Sequence, residues 1–268
     1  KGNNMTAFLT KDELRELDRE LAFSVLTGSH NYNLNTENSD KDYKVFVYPR
    51  YEDFYFGFKQ NKTVISETRD KEYKDIRLLQ AFFSSGNFNC FELLFSQEVE
   101  NSSNGLYQDL FANRDEIIHS HLHDMFVSTF GMIHLVLKNQ KINQTDKYNS
   151  KKLSHALRYY DMLEKYFNND FSNFSDVIYY KNDDPMRSML ISLKNNEVSS
   201  QKKQEIIGNL TDFLNDKISL NRNTWNTKAK QMFGHVVNKN IIKNDEFSYN
   251  KLVFEIVYDH LSKYLNKV

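Results

Sequence analysis

Hydrophobic positions along this chain follow two different periods, and the change falls near residue 106. Before it, short apolar runs are cut by turn residues. Ala22–Thr27 (AFSVLT) is a compact apolar run with β-branched members, ending in Gly28-Ser29, the pattern of a buried strand and a sharp turn. Asn31–Ser39 is polar and turn-rich. Residues 40–48 (DKDYKVFVY) alternate and then become apolar, which predicts a second strand stopped by Pro49. Lys62–Glu67 and Asp70–Tyr73 read as further strand material forming one hairpin. Asp75 is placed to N-cap a helix carrying Ile76, Leu78, Leu79, Phe82 and Phe83, and Gly86 ends it. Cys90–Phe95 reads as a short helix. Upstream, Thr10 and Glu13 form a capping box for a helix over Thr10–Leu21, with Leu14, Leu17 and Leu21 at helical spacing.

Beyond residue 106 the helical period dominates. Helices are expected over Asp115–Lys138, Lys151–Phe167, Pro185–Lys194, Gln201–Asn215 and Tyr249–Tyr264. In the last, Leu252, Ile256, Val257, Leu261, Tyr264 and Leu265 share one broad face. No internal repeat or low-complexity linker separates the halves. The expected class is α+β: a small mixed β-sheet domain with flanking helices over residues 1–106, then an all-α domain over 107–268, packed as one body.

Composition narrows the function classes. Apolar residues make up 40% of the chain and charged residues 26%, so a globular core is expected rather than disorder. A net charge of −1 removes the chain-wide basic bias of a nonspecific nucleic-acid binder, while leaving room for a local basic groove. With Cys90 as the single cysteine, an internal disulfide and a cysteine zinc site are both excluded, which suits a reducing cytoplasm. No apolar run reaches the roughly 18–20 residues of a membrane span. The opening KGNNMTAF has no apolar signal core, and Met5 reads as the native start.

The candidate chemistry lies in Gly28-Ser29, ten intervening residues, and Asp40-Lys41-Asp42. Strand period 2 puts Asp40 and Asp42 on one face, where two carboxylates repel unless a cation separates them. Mg²⁺, held by carboxylates and substrate phosphates, matches that need. Gly28 lets backbone N–H groups approach a phosphate, and Ser29 adds a hydroxyl. An EF-hand reading of Asn38, Asp40 and Asp42 lacks the loop's glycine and closing glutamate.

These blocks resemble the DNA polymerase β superfamily of nucleotidyltransferases. They are most similar to the bacterial and phage branch that includes proteins associated with RNA ligases. The likeness rests on GSHNYNL (Gly28–Leu34), SDKDYKVF (Ser39–Phe46), DIRLL (Asp75–Leu79), GNFNCFELLF (Gly86–Phe95) and Lys152-x-x-His155-x-x-Arg158, across roughly residues 20 to 200. Phe88 stands where that branch often carries proline. The resemblance implies Mg²⁺- or Mn²⁺-dependent transfer of an NMP from an NTP, ATP among them, to an acceptor hydroxyl, with release of pyrophosphate. An RNA or tRNA 3′ end is the favoured acceptor, ahead of a protein or small molecule. It implies metal ligation and catalysis by Asp40, Asp42 and a third carboxylate, with Asp70 chosen over Glu72 and Glu67. It also implies nucleotide contacts from Gly28, Ser29, Arg77, Lys152, His155 and Arg158, with Lys151 an alternative to Lys152. The competing expectation is an inactive nucleotide-binding or regulatory protein on the same scaffold, such as a toxin–antitoxin or phage component.

Two further clusters carry weaker readings. His119 and His123 have the i, i+4 spacing of a metal pair but no third ligand, and read as an ordinary helical surface. Trp225, among Arg222, Asn223, Lys228 and Lys230, reads either as a base-stacking residue or as a domain-surface anchor.

Overall fold

The computed structural model describes residues 18–65, 69–101, 105–140, 147–234 and 249–265. Among the described residues, five strands form one mixed sheet: β1 Leu21–Thr27, β2 Lys41–Val47, β3 Asn61–Ile65, β4 Arg69–Asp75 and β5 Val99–Asn101. Their order is β3-β4-β2-β1-β5. β2 and β4 run parallel, and the other neighbours are antiparallel.

Helices fill the intervals. α1 is Gly28–Asn31, α2 Tyr51–Tyr55, α3 Leu79–Ser84 and α4 Phe88–Phe91, with single 3₁₀ turns at Ile76–Leu78 and Glu92–Phe95. The helical half comprises α5 Leu106–Ala112, α6 Arg114–His119, α7 Leu122–Gln140, α8 Lys147–Asn168, α9 Phe174–Ile178, α10 Pro185–Lys194, α11 Ser200–Leu214, α12 Arg222–Phe233 and α13 Tyr249–Leu265. Among the described residues, no helix is long and apolar enough to cross a membrane.

Several expectations are adjusted. Of the helix over Thr10–Leu21, residues 10–17 lie outside the described residues. Leu21 is already in β1, because it pairs with Val47 while Tyr48 N–H donates to Glu20 O at 2.9 Å. The stretch Asp115–Lys138 is two helices. Its break at Ser120-His121 follows from local bonding: the Ser120 hydroxyl donates to Ile117 O at 2.8 Å, and the His121 ring lies 2.8 Å from the same carbonyl. Gly86, at φ +67, lets the chain after α3 meet the start of α7, since a Cβ there would lie 2.3 Å from the Asp124 backbone.

Strand alternation sorts the sheet's faces. Phe23 and Phe46 stack at 4.5 Å on one face. That face opens into a single core running through Phe83, Phe91, Phe126, Leu153, Tyr166 and Ile256, so sheet and helices share one hydrophobic interior. Leu26, Tyr43, Val45, Val47 and Tyr73 form a smaller cluster on the other face. Trp225 belongs to the shared interior: it is fully buried, its Nε1–H donates to Leu122 O at 2.9 Å, and Phe171 meets it edge-on at 4.7 Å. The base-stacking alternative for Trp225 is therefore set aside. Of the histidine pair, His119 bonds Phe171 O at 2.8 Å and stacks on Phe233, and His123 lies 3.2 Å from Asn226 Oδ1 and 3.2 Å from Arg222, both rings half-buried.

Candidate active site

The parallel β2–β4 pair sets the site's register. Asp42 lies directly opposite Asp70, and Lys44 opposite Glu72. Paired residues point to one face, and neighbouring strands lie about 4.8 Å apart, so the two aspartates form a like-charged couple. Burial, and then the Asp70 charge, raise the pKa of Asp42. One Asp70 oxygen is buried without a hydrogen-bond partner among the described residues. Glu72 is engaged elsewhere, at 2.7 Å from Lys74 and 3.4 Å from Lys44. Burial would raise its pKa, but these ammonium groups hold it below the ordinary value. Glu67 lies outside the described residues.

Gly28 closes in from β1. Thr27 pairs with Asp42, and the chain turns at Gly28 with φ +72. A Cβ at Gly28 would stand 2.1 Å from the Asp42 carboxylate. Glycine is thus demanded twice, by conformation and by space. The Gly28 N–H donates to Glu92 Oε1 at 3.4 Å.

The helical half supplies the facing wall. Two lobes of about 320 Å³ and 140 Å³ share Tyr32, Asp42, His155 and Arg158. The larger runs along β4 past Gly28, Asp70, Asn89 and Tyr159; the smaller lies against Ser29, Lys151 and Lys194. Arg158 is 4% exposed, with its guanidinium 3.6 Å from the Tyr32 ring centre and 3.8 Å from Glu92. Its Nε and Nη2 have no hydrogen-bond partner among the described residues. His155 is reachable from the cleft, yet its enclosing surroundings, with Arg158, Lys151 and Lys194 beside it, depress its pKa to about 4. The smaller lobe therefore sets three cations, Lys151, Arg158 and Lys194, and the His155 ring against one aspartate, an arrangement that favours an anionic ligand.

Three expected residues stand apart from this arrangement. Asp40 is exposed, precedes β2 by one residue and lines neither lobe, although its charge reaches Asp42. Arg77 is tied to Asp75 through Nε at 2.9 Å and Nη2 at 2.6 Å, and lies 4.5 Å over Phe54. Asp75 pairs with Val47 at the far end of β4, about 16 Å along the strand from Asp70, so the structure places Arg77 away from the cleft. Lys151, not Lys152, lines the smaller lobe, for a helical reason. Residues 151, 155 and 158 follow i, i+4, i+7 and share one stripe of α8, whereas 152 is turned about 100° away.

Residues outside the expected set complete the site. Glu92 and Tyr32 lie within the quoted motif blocks, so their positions were visible but their roles were not. Lys194 carried no signal, being an ordinary lysine in the last turn of a helix. It donates to Ser39 Oγ at 2.8 Å and Leu34 O at 3.3 Å, tying α10 to the loop after Gly28. Burial, then Lys151, lower its pKa. Arg187 donates to Asn33 O at 2.8 Å and reinforces that link.

A family model described as the RNA repair pathway DNA polymerase beta family matches residues 7–224. The chain belongs to that family. It is a nucleotidyltransferase of the polymerase β type, and its mixed sheet with a helical C-terminal half is the corresponding α+β architecture. No curated protein matches the chain. Among solved structures it is similar to a nucleotidyltransferase-like protein from Exiguobacterium sibiricum 255-15, at 10% identity over 94% of this chain and 87% of that one, with a TM-score of 0.35. So loose a superposition fixes no residue correspondences.

Divalent-ion chemistry can be tested against the side chains themselves. The Asp42–Asp70 couple and the orphaned Asp70 oxygen have the negative charge and free lone pairs that a hard cation takes. Among the described residues, no three His, Cys, Asp or Glu side chains are already closed into a ligand set. The fit is thus that of a carboxylate pair completed by substrate oxygens, as Mg²⁺ usually requires.

Proposed function

We propose that this polymerase β-type nucleotidyltransferase transfers an NMP from an NTP to the terminal hydroxyl of an RNA, releasing pyrophosphate. The observation that carries the reading is the register of Asp42 against Asp70 beneath Gly28, opposed by Lys151, His155, Arg158 and Lys194 across one cleft. RNA is preferred as acceptor because the matching family is described by an RNA repair pathway.

The side chains divide the work. Lys151, Lys194 and Arg158 bind the polyphosphate and offset charge as pyrophosphate departs. Gly28 leaves room for phosphate beside Asp42, and Ser29 offers its hydroxyl. His155, neutral at physiological pH, donates or accepts one hydrogen bond. Asp70 accepts the proton of the acceptor hydroxyl, a contribution of about 10²–10⁴-fold. The acceptor oxygen bonds to the α-phosphorus as the bond to the β-phosphate oxygen breaks. Mg²⁺ or Mn²⁺ would be held by Asp42 and Asp70 with Asp40 nearby, and when bound supplies phosphate charge neutralisation and a more acidic acceptor hydroxyl.

The test is incubation with each α-³²P-labelled NTP, Mg²⁺ or Mn²⁺, total RNA and cell lysate, alongside Asp42→Ala. Label on RNA that depends on the cation and is lost in the variant is expected. Label on protein or a small molecule would overturn the RNA assignment, and equal labelling by the variant would overturn the site.

A further inference from the structure

The Glu92–Arg158 pair is the least satisfied feature of the cleft. Both side chains are at least 96% buried, yet their closest approach is 3.8 Å, beyond hydrogen-bonding range. Glu92 Oε2 and Arg158 Nε and Nη2 are all buried without hydrogen-bond partners among the described residues. Arg158 is nonetheless held in place, with its guanidinium on the Tyr32 ring. Glu92 is held too, since its Oε1 takes the Gly28 N–H and its backbone carbonyl takes Asn31 Nδ2–H at 3.4 Å. A buried ion pair built for stability would close its geometry, because loose charges in a low dielectric are costly. This one leaves a carboxylate oxygen and two guanidinium nitrogens unpaired, in an arginine that lines the shared cleft.

We infer that Glu92 is an internal stand-in for phosphate: it balances Arg158 in the free protein, and the nucleotide's polyphosphate takes Arg158 over when it binds. The inference rests on the polyphosphate reading of the cleft. Glu92 is then a positioning residue. It keeps Arg158 aimed, and it anchors the Gly28 turn through the other oxygen. It also weakens nucleotide binding, because phosphate must displace it.

Glu92→Gln separates these roles, since the amide oxygen still accepts from Gly28 while the charge is gone. The probe is inorganic pyrophosphate without metal, followed by calorimetry and thermal melting, which need no turnover. Expected are a lower melting temperature for the unliganded variant, pyrophosphate binding about tenfold tighter than wild type, and a larger melting shift on adding it. The double variant Glu92→Gln/Arg158→Gln, which removes both charges, should be more stable than Glu92→Gln alone and should lose pyrophosphate binding. If Glu92→Gln does not fold, recovery of folding in the double variant still shows that the carboxylate serves Arg158. Weaker or unchanged pyrophosphate binding by a folded Glu92→Gln overturns the inference, as does a double variant no more stable than the single one. Failure of the wild type itself to bind pyrophosphate would instead overturn the polyphosphate reading.

Discussion

At the scale of the residue, Gly28 is the most constrained position in the site. Any side chain meets the Asp42 carboxylate and also strains a left-handed turn. Gly28→Ala should cost about 1–3 kcal/mol of stability and, by displacing Asp42, most of the pyrophosphate-releasing activity. Thermal melting and turnover check the two effects separately; a fully active variant would show that the turn has slack. His155 makes a different prediction. Its folded pKa of about 4 lies below the ordinary 6.5. Above 6.5 neither state holds the proton, and below about 4 both do. Between them the unfolded chain binds the proton and the folded protein does not, so stability falls as pH drops through that window. His155→Asn should remove this component. Melting temperatures of wild type and variant compared from pH 8 to pH 4 should diverge below 6.5, and parallel curves would contradict the account.

At the scale of the element, the β2–β4 register decides which acidic residue of β4 matters. Asp70→Asn should lower activity at least about 100-fold, whereas Glu72→Gln should keep most of it, because Lys44 and Lys74 already occupy Glu72. The reverse order in a turnover assay would move the third carboxylate to Glu72. Arg77 belongs to the distal end of the same strand. Arg77→Ala leaves the buried Asp75 without its charged partner and should cost about 3 kcal/mol in denaturant unfolding, with KM for NTP unchanged. A raised KM with intact stability would return Arg77 to the nucleotide site.

This scale also shows what a sequence discloses. β1, β2 and the β3–β4 hairpin were legible because each is a short apolar or alternating run bounded by Gly, Pro or Asp. Pro185–Lys194 was legible to the residue, because Asp184 caps it and Pro185 fits its first turn. β5 was missed because three residues carry too little period to read. α12 was missed because Asn, Thr, Lys and Gln dominate it and only Trp225 and Ala229 are fully buried. The choice between Lys151 and Lys152 required the orientation of α8, and the value of Lys194 required the contact between α10 and the Gly28 loop. Neither is encoded locally.

At the scale of the whole molecule, one interior joins the sheet to the helices, so the two walls of the cleft are held by the same packing. Trp225 anchors that interior from α12, more than 60 residues after the last wall residue of α8. Trp225→Phe should cost about 1–3 kcal/mol through a lost hydrogen bond and incomplete filling, with NTP affinity retained in the folded fraction. Loss of NTP affinity without loss of stability would place Trp225 in recognition instead.

The most direct test of the central claim is release of inorganic pyrophosphate from each of the four NTPs, with and without Mg²⁺, by wild type, Asp42→Asn and Asp70→Asn. Wild type should release pyrophosphate in the presence of RNA only when the cation is added, and both variants should release none while their melting temperatures hold or rise, since each substitution relieves the Asp42–Asp70 repulsion. Release that survives both substitutions, or a folded wild type that releases none from any NTP, would contradict it.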